Sequence, residues 1–188
     1  MDNSVLDRAI VFATEAHSGT VRKDGAPYIV HPLEDASIVA TMTHDPEVLA
    51  AAVLHDVLED TDTTEEQIRA AFGDRVLSLV LAETENKRDG LPKGDTWKVR
   101  KEETLNYLKE GRMEEKMLWL GDKLSNLRSL KRTHDREGKD AFLHFNVHDP
   151  LMHKWYYDAV LSYLGVLAEY PAYKELSSIF HDIFDRYE

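Results

Sequence analysis

The stretch Pro46–Asp62, PEVLAAAVLHDVLEDTD, decides the fold. Its first half is apolar nearly all round, and Val48–Leu54 is the longest uninterrupted apolar run in the chain, seven residues. A helix apolar on every face has no side for water, so it belongs in the centre of a helical domain. Pro46 suits a first helical turn, where its missing N–H costs nothing. Into this segment the chain inserts His55, Asp56, Glu59 and Asp60. On a continuous helix His55 and Glu59 lie one turn apart, as do Asp56 and Asp60. Four ionisable groups then fall on adjacent rows of a buried element, and burying such groups without partners is costly. A metal, an ion pair or a catalytic cleft compensates. A helix end emerging into water accounts for Glu59 and Asp60 but poorly for His55 and Asp56.

Outward from this segment the sequence continues as helix after helix. Residues 4–18 place Val5, Ala9, Phe12, Ala13 and Ala16 at helical spacing. The loop HSGTVRKDGAPYIVHP follows, and helical pattern resumes over 33–42. Thr63 and Glu66 have the spacing of a capping box ahead of EEQIRAAF, and Gly73 separates that helix from RVLSLVLAETE. Residues 86–96 have the composition of a mobile loop. Helices are predicted over 97–110, 113–131 and 151–169, with a polar segment over 133–150. An amphipathic helix after Pro171 carries Leu176, Ile179, Phe180, Ile183 and Phe184. No convincing alternating strand is present. The expected fold is all-α, a bundle of about eight to ten helices with at most a minor hairpin.

Composition bounds the function. The chain has 188 residues with 43% apolar and 31% charged side chains, the balance of an ordinary globular domain. Its net charge of −12 argues against general nucleic-acid binding, which needs a basic face. A small anionic substrate remains compatible, because a local basic pocket can sit on an acidic body. With no cysteine, thiolate metal sites and cysteine nucleophiles are excluded. No signal-peptide pattern and no membrane-length apolar run are present, so no membrane partner and a cytoplasmic location are expected.

Five of the nine histidines precede an aspartate, so the dipeptide alone carries no signal. His44-Asp45 and His148-Asp149 precede prolines and suit turns into helices. His134-Asp135 falls in a predicted polar loop, and His181-Asp182 on the polar side of the last helix. His55-Asp56 alone interrupts an apolar helix. Taken singly, His31, before Pro32, also reads as a capping or core histidine, and Asp122, inside the apolar run MLWLGDKLSNL, as an ion-pair partner of Arg128 or Lys123; taken together with His55 and Asp56 they make a set of two histidines and two carboxylates. Such a set suits manganese, iron or zinc.

The motifs HSGTVRKDGAPYIVHP, AAVLHDVLEDTDTT, Phe72-Gly73 and GDKLSNLRSL, in order over about residues 5–132, resemble the hydrolase domain of RelA/SpoT-type proteins, a branch of the HD superfamily. Residues 133–188 resemble the helical tail of its short members, the small alarmone hydrolases of the Mesh1 type. The resemblance implies a single hydrolase domain over 1–188, with the motif core in 1–132 and a C-terminal helical extension in 133–188. It implies His31, His55, Asp56 and Asp122 as ligands of a divalent metal, usually one manganese ion. It implies Glu59 and Asp60 as the catalytic acidic pair. Arg22 and Lys23 match the basic pair that packs on guanine and nearby phosphates, and Asn126, Arg128 and Ser129 match the nucleotide-lining motif. Gly121 departs from the family's more usual alanine, a difference expected to affect packing rather than chemistry. Synthesis of the alarmone is not expected, for lack of room for a synthetase domain.

The implied reaction is hydrolysis of the 3′-pyrophosphate of ppGpp or pppGpp to GDP or GTP and pyrophosphate. Glu59 and Asp60 would orient the attacking water, take its proton and return one to the leaving 3′ oxygen. Lys98, Arg100 and Lys101 follow the predicted loop and could reach distal phosphates. Tyr28 is expected to fill the core or else to line the base pocket, His17 to be structural or to support the site from behind, and the tryptophans, Tyr156 and Tyr157 to pack the fold. Other readings are a phosphohydrolase of NADPH or an adenine-based alarmone, a catalytically silent nucleotide sensor, and a two-metal HD phosphodiesterase. All six ligand and acid positions are intact, which argues against the sensor.

Overall fold

A computed structural model describes residues 4–22, 25–88 and 90–187. Among these residues the structure is helical throughout, with no strand and a single isolated bridge between Val21 and Pro27. The helices are α1 Ser4–Ala16, α2 Val30–Val39, α3 Pro46–Leu54, α4 Val57–Asp60, α5 Glu65–Glu83, α6 Lys93–Glu110, α7 Met113–Glu137, α8 Pro150–Tyr163 and α9 Pro171–Phe184. The chain groups into two compact units, Met1–Thr84 with Arg112–Asp122, and Glu85–Gly111 with Lys123–Glu188.

In the first unit α3 is the centre, as its all-round apolar sequence requires. Val48 and every residue from Ala50 to Leu54 are fully buried, and α1, α2 and α5 pack on it. Ala9, Ala13, Val39, Ile68, Val76, Leu79, Val80 and Leu118 close the core. Asp45 caps α3 by accepting from the Glu47 N–H at 3.0 Å, with Pro46 in the first turn. Arg75 clamps the same corner, donating to both oxygens of Asp45 and to Glu47 and Glu114 at 2.6–3.1 Å.

Several element ends differ from the sequence pattern, each for a local reason. The helix expected over 46–60 is interrupted at His55–Asp56: the Asp56 ψ of −7° breaks the ladder, and the Glu59 and Asp60 N–H groups both bond the Asp56 carbonyl. Turns closed by the Val30 and His31 N–H groups start α2 at Val30, not Leu33, which puts His31 in its first turn. The capping box of α5 is Thr64 with Gln67, one residue beyond the expected pair, while Thr63 accepts from the Thr61 hydroxyl. Gly73, at φ 89° and ψ 172°, divides α5 as expected.

In the second unit α6 starts four residues before its predicted start, and a short 3₁₀ turn at Gly165–Leu167 replaces the predicted end of α8. α8 packs on α6 and α9. Leu176, Phe180, Ile183 and Phe184 of α9 are buried and Ile179 partly so. Trp97, Tyr156 and Tyr157 are buried packing residues, as expected. Arg100 and Lys101 are engaged by a carboxylate: Glu85 accepts from both, from Lys101 at 2.6 Å, and from the Thr104 hydroxyl at 3.0 Å. Burial opposes ionisation of Glu85, but Lys101, Lys123 and Arg100 outweigh it and hold its pKa at about 2 against an ordinary 4.5. A carboxyl depressed on folding stabilises the protein above its unfolded pKa, and that contribution is lost as pH falls toward the folded value. Glu85 therefore contributes on the order of 3 kcal/mol above about pH 5, lost between about pH 5 and pH 2. Urea unfolding followed over that range should show a flatter acid limb in Glu85→Gln than in the wild type.

Candidate metal centre

His31 enters from the first turn of α2, His55 and Asp56 from the α3–α4 break, and Asp122 from α7. All four lie in the first unit. The break matters for chemistry: at this point the backbone turns two consecutive side chains toward the same place. His31 Nε2 stands 3.2 Å from Asp122 Oδ1, 3.5 Å from Asp56 Oδ2 and 3.3 Å from His55 Nε2. His55 Nε2 stands 3.1 Å from Asp56 Oδ2 and 3.8 Å from Asp122 Oδ1. Donors bound at about 2.1 Å around one ion lie about 3.0–3.4 Å apart, so these separations suit a coordination shell. His31, His55 and Asp122 are all buried, with ligating atoms close enough to hold a cation.

The tautomer of His55 follows from its surroundings. Its Nδ1 lies 2.7 Å from the Ala52 carbonyl, which only accepts, so Nδ1 carries a proton, and it is Nε2 that loses its proton and offers a lone pair when the ring is neutral. Burial alone would lower the His55 pKa, but Asp56, Asp35 and Glu83 reverse this and hold it well above the ordinary value. Burial pushes the Asp56 carboxyl up, yet His55 and then His31 hold it below the ordinary carboxylate range.

Tyr28, expected in the core or at the base pocket, and Asp35, for which no role was expected, both belong to this site. The Tyr28 hydroxyl lies 2.7 Å from Asp56 Oδ2 and 2.5 Å from Asp60 Oδ2, so one phenol proton serves two carboxylates. Burial, Asp56 and Asp60 push its ionisation far above the usual range. Its ring stacks on buried His17 at 4.6 Å. Asp35 is fully buried with Oδ2 3.2 Å from His55 Nδ1, and burial drives its carboxyl well above the ordinary range. The available signal for Asp35 was its spacing: it follows His31 by four on α2 and shares its inward row. Glu83, at the end of α5, joins Asp35 and His55 in a second buried group; nothing in its local sequence marks it.

The remaining predicted residues fall as follows. Asp60 is exposed and Glu59 half-buried on α4. Arg22 is half-buried, and Lys23 lies outside the described residues. Asn126, Arg128 and Ser129 lie on the part of α7 in the second unit, where Arg128 makes a two-point ion pair with Glu175 at 2.7 Å. Asp45 and Asp149 cap helices as their His-Asp-Pro contexts suggested. His134 differs from expectation: α7 runs on to Glu137, and His134 is buried with Nε2 2.7 Å from the Tyr187 hydroxyl.

The chain belongs to the HD-domain family, whose model matches residues 9–154. Within that family it is similar to guanosine-3′,5′-bis(diphosphate) 3′-pyrophosphohydrolases. The MESH1 enzyme of Danio rerio is 38% identical over 133 residues, 69% of this chain and 71% of the relative. The Aquifex aeolicus enzyme is 37% identical over 157 residues, 79% of this chain. The chain spans only 21% of that longer protein. The structure of a metazoan SpoT ortholog that hydrolyses ppGpp superposes with a TM-score of 0.75 at 26% identity, covering 95% of both chains. A Listeria monocytogenes protein superposes at 0.72 with 34% identity, covering 86% of this chain and 98% of that one.

Tyr28→Phe keeps the ring on His17 but removes the proton shared by Asp56 and Asp60. The metal-free protein is expected to lose about 1–3 kcal/mol of stability, read by chemical denaturation. An unchanged midpoint would mean that the bridge contributes nothing.

Proposed function

We propose that this chain is a metal-dependent 3′-pyrophosphohydrolase of ppGpp and pppGpp, releasing pyrophosphate and GDP or GTP. The observation that carries the reading is the convergence of His31, His55, Asp56 and Asp122, with donor atoms 3.1–3.8 Å apart in the core of one unit. The similarity to enzymes named for this activity in a bacterium and an animal supports the substrate.

His31, His55, Asp56 and Asp122 would hold the ion, and their two imidazoles and two carboxylates suit Mn2+ among divalent cations. When bound, such an ion supplies positive charge to the phosphoryl oxygens and lowers the pKa of water. Glu59 and Asp60, on the turn that follows the ligands, are assigned the proton work. One takes a proton as water attacks the phosphorus attached to the 3′ oxygen. The P–O3′ bond breaks, and a proton is delivered to the departing 3′ oxygen. Tyr28 holds Asp60 by its hydroxyl and so limits where that carboxylate can reach. Arg22 and Lys23 are proposed for the guanine base and nearby phosphates, Arg22 because a guanidinium stacks well on a purine. Asn126, Arg128 and Ser129 are assigned to the nucleotide by the family resemblance. No described helix is long and apolar enough to cross a membrane, compatible with action on a small dissolved nucleotide. A single hydrolase domain over 1–188, acting in the cytoplasm, completes the reading.

Chelator-stripped protein is incubated with ppGpp and with NADPH, with and without Mn2+, beside Asp56→Ala, and products are resolved by anion exchange. Manganese-dependent GDP and pyrophosphate are expected, with Asp56→Ala reduced more than about 100-fold, beyond the loss of a mere outer-shell partner. Phosphate from NADPH alone would move the substrate. Tight ppGpp binding without product would make the chain a sensor.

A further inference from the structure

We infer that Asp35 is a positioning residue for His55, and that residue 121 is a glycine because the Asp35 carboxylate occupies the space of a side chain there. The inference rests on the proposed reading of His55 as a metal ligand. It adds to that reading a carboxylate behind the ligand and a steric tie to the neighbouring ligand Asp122.

His31 and Asp35 lie one turn apart on α2, so the helix that delivers one ligand delivers this carboxylate beneath another. Asp35 is 0% exposed, and among the described residues neither of its oxygens completes a well-formed hydrogen bond. A buried carboxyl so poorly satisfied costs stability, so its presence calls for a compensating role. Among the described residues its close polar neighbour is the His55 ring, with Oδ2 3.2 Å from Nδ1. The same Nδ1 faces the Ala52 carbonyl at 2.7 Å. Carbonyl and carboxyl together confine the imidazole, so that Nε2 faces Asp56 and Asp122. In either protonation state Oδ2 offers a lone pair to the Nδ1 proton. Outer-shell partners of this kind fix the orientation and basicity of ligating histidines.

On its other side Asp35 presses against α7. A Cβ at position 121 would stand 1.9 Å from Asp35 Oδ1 and 2.8 Å from Val39 Cγ2, closer than the 3.0 Å that real Cβ atoms keep. The constraint at Gly121 is space, not backbone conformation, since its φ is not in the left-handed region. The next residue is Asp122. Anything that pushes Asp35 off Gly121 therefore disturbs two ligands together, His55 through its Nδ1 contact and Asp122 through the backbone beside it. The departure from alanine at this position is explained by the carboxylate on α2.

The test measures Mn2+ affinity by calorimetry on chelator-stripped protein, with folding checked by circular dichroism. Asp35→Ala is expected to weaken Mn2+ binding about 10–100-fold, the usual range for losing such a partner. Gly121→Ala should weaken it comparably when Asp35 is present, and clearly less in the Asp35→Ala background, where only Val39 opposes the methyl group. Wild-type affinity in folded Asp35→Ala would remove the positioning role. An equal loss from Gly121→Ala in both backgrounds would remove the steric tie. Asp35→Asn keeps the side-chain volume and covers a folding failure of the alanine variant. Its His55 Nδ1–H resonance should move from the wild-type position, and an unmoved resonance overturns the contact. His55→Ala separates the two levels of argument. If it binds Mn2+ as well as wild type, the metal reading itself fails. If it does not, and Asp35→Ala binds normally, only the positioning role fails.

Discussion

Charge without water is the constraint on which the first unit depends. Asp35, Asp122, His31 and His55 are buried, and Asp56 is nearly so, in a region walled by α3. Like charges at these separations repel strongly where solvent does not screen them. Each acid is therefore accommodated: Asp56 by both imidazoles and the Tyr28 hydroxyl, Asp122 by His31, and Asp35, beside His55, by burial that favours its neutral form. A divalent cation would complete the neutralisation. The apolar helix α3 holds these groups in place because every face of it is packed, leaving its last residues no freedom to turn elsewhere.

The break between α3 and α4 converts a packing element into a site. A regular helix would send His55 and Asp56 about 100° apart around its axis. The tightened turn at Asp56 instead brings Nε2 of one within 3.1 Å of Oδ2 of the other. It also starts the short α4, whose Asp60 returns to Asp56 through one phenol group. Ligand and proposed proton carrier are thus linked by a single hydroxyl.

The second unit solves a milder version of the same problem. Arg100, Lys101 and Lys123 gather around Glu85, so a strongly acidic chain still keeps a region of concentrated positive charge. Arg128 makes a two-point ion pair with Glu175, and the two guanidinium–carboxylate arrangements keep these cations ordered.

The helical architecture was legible from the chain, because a 3.6-residue period and the proline and glycine punctuation act over a few residues. His55-Asp56 stood out for the same reason, as a local violation of an apolar pattern. The capping box missed by one residue because Thr63/Glu66 and Thr64/Gln67 fit the same spacing, and only the backbone chooses between them. The helix break, the burial of His134, the double role of Tyr28 and the approach of Asp35 and Glu83 to His55 were not legible. Those contacts join residues 20 to 53 positions apart, and hydrophobic periodicity carries no information at that range. Residue pattern alone places most of the helices and supplies the residue types a metal needs. Which side chains meet is settled by the packing of α2, α3, α5 and the start of α7, which sets the distances on which charge and coordination depend.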